Sequence, residues 1–283
     1  MLYTPEGDGP FPALLYNHGS APGTLSDQAF EQIGPLFAAR GWVVFAPYRR
    51  GQGLSREAGP YIGNAIAAAR WEGVRSAVPL GGGLLVALLV VWAVLTRGRR
   101  AGLRLAGPAV LLAVGGAAFY GVGARSAEAA TVRLLETDHL DDHLAAYAWL
   151  ARQPFVQPGR IATAGNSFGG IMSVLAAERV PYCAAVSGAG GAESWSRAPL
   201  LRERMVRAVG ASRVPLFLFQ AANDHDLSPT RVLAAEARRV GRPHEATVYP
   251  SWGTSAAEGH RFAWAGAAVW APDVFRFLDE HCG

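Results

Sequence analysis

Arg160-Ile161-Ala162-Thr163-Ala164 runs directly into Gly165-Asn166-Ser167-Phe168-Gly169. The first five residues read as a short strand. The next five place a serine between small residues, where a strand turns sharply into a helix. That geometry pushes the Ser167 hydroxyl out of the turn and leaves it free to attack a carbonyl. G-x-S-x-G alone also describes an ordinary turn serine, so the rest of the chain decides the matter.

Working outward, strand-like runs recur at Ala13–Asn17, Trp42–Pro47, Arg160–Ala164, Cys183–Ser187, Pro215–Gln220 and Ala246–Tyr249. Helix-like stretches separate them: Ser26–Arg40, Thr137–Arg152, Phe168–Arg179, Pro199–Val209, Pro229–Val240 and Pro272–His281. Ser26 is a candidate N-cap, and Ser228-Pro229 reads as a cap followed by proline at the first helical position. Short apolar strands alternating with amphipathic helices imply an α/β fold, a mostly parallel sheet covered on both faces.

The chain has 283 residues, about half of them apolar, enough for one large core. Every basic residue is arginine, and the arginines are scattered among acids. No basic face with interleaved aromatics points to nucleic acid. The two cysteines, Cys183 and Cys282, lie far apart. Cys183 is expected as a small buried apolar residue rather than as a disulfide partner, and no metal-ligand spacing appears. No cofactor motif is present. The N-terminal residues Met1–Glu6 carry no charged-then-apolar leader pattern.

One stretch breaks the alternation. Val78–Leu95 and Leu105–Ala124 contain no charged residue, and Arg97, Arg99, Arg100 and Arg104 cluster between them. Each segment has about 18–20 residues, the length of a membrane-spanning helix. A helix apolar all round is buried in protein or in lipid. Ala113, Ala117 and Gly121 recur at four-residue steps and would let two helices pack closely. Gly81-Gly82-Gly83 and Pro108 weaken the helices locally. The expectation is a two-span hairpin over residues 78–124, in contact with the lipid bilayer and inserted into one domain made of residues 1–77 and 125–283. Two spans return the chain to the side it left. The soluble alternative is a helical cap.

The remaining chemistry sits at strand ends. Strand Pro215–Gln220 leads to Asn223-Asp224-His225-Asp226, where an acid can orient a histidine; Asp224 is the first choice and Asp226 the alternative. Either also reads as a helix cap. Glu258-Gly259-His260 follows the last strand and puts a histidine in a loop that can reach the serine. The order Ser167, Asp224, His260 is that of α/β-hydrolases. Asn17-His18-Gly19-Ser20 ends the first strong strand and can aim the Ser20 backbone N–H at a substrate oxygen, with the N–H of Phe168 as the second oxyanion donor. Arg49-Arg50-Gly51-Gln52-Gly53 is expected to shape the rim. His139 and His143, at helical spacing among Asp138, Asp141 and Asp142, suggest a solvated helix face rather than a metal site. Tyr48, Trp195, Trp252, Phe262 and Trp264 are candidates for an acyl pocket or for the core.

Taken in order, H-G, R-G-x-G-x-S, G-x-S-x-G-G, N-D and E-G-H resemble the α/β-hydrolase superfamily, within it the dienelactone hydrolase and prolyl-oligopeptidase-like branch. The resemblance covers nearly the whole chain outside residues 78–124. It implies Ser167 as nucleophile, His260 as general base, Asp224 as orienting acid, and an acyl-enzyme. Dienelactone hydrolases proper carry a cysteine nucleophile, which argues against that lactone. The family's early antiparallel strands are reduced here to Leu2–Thr4, as in a trimmed fold or a truncated start.

The leading expectation is a membrane-anchored esterase acting on a small-molecule ester. A peptidase of the prolyl-oligopeptidase type comes second, and a non-catalytic anchored module third. Arginines near the span ends tie between the two sides: Arg97, Arg99, Arg100 and Arg104 against Arg70, Arg75, Arg125 and Arg133. With no export signal in view, the catalytic domain is expected in the cytoplasm, although the denser loop cluster pulls the other way.

Overall fold

The computed structural model describes residues 1–20, 27–99 and 101–283. Ser26, the expected cap of the first helix, and Arg100 of the loop cluster lie outside them. Two compact units emerge, Met1–Pro60 with Leu134–Gly283, and Tyr61–Arg133.

The first unit is built on a seven-stranded sheet in the order β1-β3-β2-β4-β5-β6-β7. Its strands are β1 Leu2–Tyr3, β2 Phe11–Asn17, β3 Val43–Phe45, β4 Val156–Asn166, β5 Ala185–Gly188, β6 Leu216–Ala221 and β7 His244–Tyr249. Among the described residues β1 alone runs antiparallel, against β3. β2, β5 and β6 are apolar runs because both of their faces are covered: Leu14, Ala185, Val186, Phe217 and Leu218 are all buried. Helices α1 Gln28–Ala38, α5 Asp138–Leu150, α6 Phe168–Ala176, α7 Pro199–Ala211, α8 Ser228–Arg239, α9 Ala256–Ala265 and α10 Ala267–Cys282 belong to this unit. One core joins Phe30 and Phe37 of α1, Phe217 and Phe219 of β6, Phe262 of α9 and Trp270, Phe275 and Phe277 of α10.

Register aligns the carboxyl ends of the central strands. Asn17 lies opposite Gly165, Asn166 opposite Gly188, and Gly188 opposite Phe219. Open α/β sheets bind ligands at that edge.

Two expectations change here. Cys183 and Cys282 form a disulfide, with Cα atoms 5.1 Å apart and a sequence separation of 99. Distance along the chain concealed it: Cys183 leads into β5, and α10 returns its last turn to the same place, where the Arg160 guanidinium donates to the Cys282 carbonyl. The segment carrying His260 is also not a loop but α9. Its start is a capping box, in which Ser255 Oγ accepts the Glu258 N–H and Glu258 accepts the Ser255 N–H at 3.0 Å.

The second unit is helical. α2 Ile62–Ala77 continues through a π-helical turn, Val78–Gly82, into α3 Gly83–Leu95, and α4 Ala101–Glu136 runs back along it. Pro108 lies inside α4. The helices touch through glycines: a Cβ at Gly107 would fall 2.0 Å from Trp92, one at Gly115 3.1 Å from Leu85, and one at Gly123 2.9 Å from Val74. The expected stripe is therefore displaced. Ala113 and Ala117 are exposed, and a Cβ at Gly121 would meet nothing within 4 Å. The apolar windows of these helices have mean hydropathies of 2.4 and 1.7, and none of their residues is buried. By length and composition both are long and apolar enough to cross a membrane.

Candidate active site

Ser167 sits between β4 and α6 at φ 54° and ψ −118°, a strained conformation for a residue with a Cβ. Its N–H donates to the Gly188 carbonyl at 2.8 Å, which ties the turn to β5. The flanking glycines have no room for a side chain. A Cβ on Gly165 would lie 2.4 Å from the Gly169 backbone, and one on Gly169 only 1.9 Å from the Asn17 carbonyl oxygen. Asn166 fixes the facing loop, its Oδ1 accepting the Tyr16 hydroxyl at 2.9 Å and the Gly19 N–H at 3.1 Å.

α9 brings His260 over this turn. Its Nε2 lies 2.9 Å from Ser167 Oγ, and its Nδ1 lies 2.8 Å from Asp224 Oδ1. A carboxylate accepts only, so Nδ1 carries the proton and Nε2 presents its lone pair to the serine. Asp224 is fully shielded in its side chain. Its Oδ1 also accepts the His225 N–H at 2.7 Å, and its Oδ2 accepts Gln220 Nε2–H at 2.8 Å. Burial works to lower the His260 pKa, but the hydrogen bond and charge of Asp224, with a contribution from Glu193, raise it above 6.5. Asp226 is spent elsewhere: its Oδ1 accepts the Ser228 N–H at the start of α8. Of the two acids, Asp224 is the one that meets the histidine.

Phe168 is the first residue of α6, so its N–H is one of the amides that a helix start leaves without an intrahelical partner. Its ring turns away, stacked under the Arg49 guanidinium at 4.0 Å and edge-on to His139 at 5.8 Å. Arg49 also donates to the His18 carbonyl at 2.5 Å, so one side chain holds both loops that flank the serine. His18 Nε2 accepts the Arg49 N–H and its Nδ1–H donates to the Gly19 carbonyl; burial and the Arg49 charge push its pKa down to about 3. Ser20 borders the same cavity as Ser167 and His260, about 260 Å³ in volume, together with Gln28, Glu193, Arg261 and Trp264.

A neighbouring cavity of about 230 Å³ is bordered by Tyr48, Arg49, Arg50, His139 and His143. Arg50 grips Asp142 through two bonds of 2.6 Å and reaches Asp138 at 3.1 Å. His139 and His143 do not lie on a solvated face, as expected from their acidic neighbours; both are buried. His143 Nδ1 meets Asn17 Oδ1 at 2.7 Å and its Nε2 meets the Tyr182 hydroxyl at 2.6 Å, inside a polar network beneath the serine turn. Burial, then the Arg49 charge, lowers both pKa values, to about 4 for His139 and about 3 for His143. No His, Cys, Asp or Glu cluster able to hold a metal occurs among the described residues.

Of the aromatic candidates, Trp264 borders the serine cavity, Tyr48 the second cavity and Trp252 a third, while Trp195 and Phe262 are buried. Glu193, Gln220 and Arg261 had not been anticipated. Glu193 follows β5 at the sheet's carboxyl edge, a position that marks it in hindsight.

A family model described as X-Pro dipeptidyl-peptidase (S15 family) matches residues 122–264. Among solved structures, a puromycin-hydrolyzing peptidase of Mycobacterium tuberculosis aligns over 99% of this chain and 35% of its own, with 19% identity and a TM-score of 0.57. An acylaminoacyl peptidase of Pyrococcus horikoshii aligns over 97% and 38%, with 13% identity and a TM-score of 0.55. A 2,6-dihydroxy-pseudo-oxynicotine hydrolase aligns over 99% and 63%, with 15% identity and a TM-score of 0.53. These likenesses show the fold, and the chain spans between a third and two-fifths of the length of both peptidases. No curated protein sequence matches the chain.

Proposed function

The chain belongs to the X-Pro dipeptidyl-peptidase (S15) family, and on that premise we propose that it hydrolyses the amide bond of a small acyl or peptidyl substrate, from a membrane anchor, using Ser167, His260 and Asp224. It is a serine hydrolase of the α/β-hydrolase type. The observation that carries the site assignment is one imidazole bridging a serine and a buried carboxylate, at 2.9 and 2.8 Å.

Ser167 Oγ attacks the carbonyl carbon while His260 Nε2 takes its proton. Asp224 stabilises the resulting imidazolium and holds its tautomer. The oxyanion is received by the N–H groups of Phe168 and Ser20, donors worth about 3–4 kcal/mol each in the transition state. His260 then returns the proton to the leaving amine, and an acyl-enzyme remains. Water, deprotonated by His260, releases the acid and restores Ser167. Esters follow the same route with an easier leaving group, so the esterase expectation becomes the second reading. The family favours the peptidase.

The exposed apolar windows of α3 and α4 support the bilayer anchor. Three experiments test the proposal. A fluorophosphonate should label wild type on Ser167 and spare Ser167→Ala; labelling of both would remove the nucleophile. Aminoacyl anilides against p-nitrophenyl esters then separate peptidase from esterase. For the anchor, the protein should stay with membranes through a carbonate wash, and recovery in the soluble fraction would reject spanning helices.

A further inference from the structure

We propose that Arg49 is a positioning residue for the oxyanion hole, its guanidinium holding the backbone N–H groups of Ser20 and Phe168 at the spacing that one substrate oxygen needs. The inference rests on Ser167 being the nucleophile with those two amides as donors, and it adds the group that fixes them.

The two donors come from separate elements, one from the loop after β2 and one from the start of α6. The direction of the Ser20 N–H is set by the carbonyl of the same planar trans peptide, which points the opposite way. That carbonyl, of Gly19, accepts His18 Nδ1–H at 2.7 Å. His18 keeps this tautomer because its Nε2 accepts the Arg49 N–H at 3.1 Å. The preceding peptide is pinned at both ends. Its Gly19 N–H donates to Asn166 Oδ1 at 3.1 Å, and its His18 carbonyl accepts the Arg49 guanidinium at 2.5 Å. The side chain of Arg49 therefore grips the peptide next to the one that carries the donor.

The same guanidinium lies over the Phe168 ring, 4.0 Å from its centre. Phe168 supplies the second donor, and His139 stands edge-on to its ring at 5.8 Å. Arg49 is buried, so the stack is desolvated and strengthened. A further bond, to Oε1 of the buried Gln52 at 3.3 Å, holds the guanidinium within its own turn. A flat guanidinium can stack through its face and donate from its edge at once, which an ammonium cannot. Arg49 acts on the geometry of the donors rather than on the base. The His260 pKa responds to burial, Asp224 and Glu193, and Arg49 has no part in it.

The test measures p-nitrophenyl hexanoate hydrolysis by Arg49→Lys and Arg49→Met beside inhibition by the trifluoromethyl ketone with the same pentyl chain. Ser167 Oγ adds to that ketone, its proton passes to His260, and the resulting oxyanion occupies the hole. Loosened donors cost less than a deleted one, so kcat in Arg49→Met should fall about 10- to 100-fold with KM little changed. The inhibition constant should rise by the same factor as kcat/KM falls, and Arg49→Lys should lie between. The pH limb of kcat/KM should stay where wild type has it. A kcat/KM within about threefold of wild type in folded Arg49→Met overturns the inference, as does a fall in kcat that leaves ketone binding unchanged or moves the pH limb. If Arg49→Met does not fold by circular dichroism, Arg49→Lys is combined with Phe168→Leu, which removes the stacked ring and keeps the N–H. The double loss should be smaller than the product of the single losses, and losses that simply multiply would overturn the link. A ketone that binds Ser167→Ala as tightly as wild type would overturn the nucleophile reading instead.

Discussion

Asp224→Asn changes one atom and should disable the site. Asp224 Oδ1 receives two donors, His260 Nδ1–H and the His225 N–H, and Oδ2 receives a third, Gln220 Nε2–H. An asparagine must place its NH₂ at one of these positions. At the Oδ1 position it faces the His225 N–H and donates to His260 Nδ1, which drives the proton to Nε2 and removes the lone pair that Ser167 needs. At the Oδ2 position it faces Gln220 Nε2. Gln220 cannot flip cheaply, because its Oε1 accepts the Thr230 hydroxyl at 2.6 Å and its Nε2 also serves the Asp226 carbonyl at 3.0 Å. Either orientation leaves a buried polar group unsatisfied, a cost of about 1–3 kcal/mol. The inverted tautomer lowers kcat by about 10⁴-fold in the well-studied serine protease case, and a loss of about 10³–10⁴-fold is expected here. The assay is kcat on an activated ester, with circular dichroism to show that the fold is kept. A folded variant within tenfold of wild type would refute the assignment of Asp224.

Three further outcomes follow from the same geometry. Gly169→Ala forces a Cβ to within 1.9 Å of the Asn17 carbonyl oxygen, so destabilisation at or beyond the upper end of the ~1–3 kcal/mol overpacking range is expected, and an unaltered denaturation midpoint would contradict it. Cys282→Ser opens a loop with a sequence separation of 99 and should cost about 4–5 kcal/mol by loop-closure entropy, read from urea unfolding; dithiothreitol should bring wild type to the same midpoint. The His260 pKa is raised, so kcat/KM should climb with pH through an apparent pKa above 6.5 as the free base forms, and a limb at or below 6.5 would count against the Asp224 contact. The stability that this protonated pair adds is present in full below pH 6.5 and fades as pH rises through the folded pKa.

Much of this was readable in the chain. The central strands are buried on both faces, so their apolar runs announced themselves, and Ser167, Asp224 and His260 each follow a strand at the edge where the register aligns them. What escaped reading depends on three-dimensional return. His139 and His143 sit among three aspartates and look solvated, yet Arg50 draws Asp138 and Asp142 aside and the imidazoles turn inward. The helix carrying His260 was missed although Ser255 and Glu258 have capping-box spacing, because Gly253 and Gly259 made the segment resemble a loop. The packing stripe of α4 was misplaced because a stretch rich in Ala and Gly offers several equivalent faces, and Trp92 and Leu85 of α3 select Gly107 and Gly115.

The bond between Cys183 and Cys282 bears on where this enzyme works. Cross-links of this kind endure in oxidising compartments and are rare in a reducing cytosol. For a chain anchored as proposed, the disulfide favours the outer, oxidising face for the hydrolase domain over the cytoplasmic expectation. The arginine count does not oppose that placement, since it ties between the two sides of the proposed spans. Thiol alkylation of the freshly isolated, denatured protein decides the point: two reactive thiols without reductant would return the domain to the cytosol.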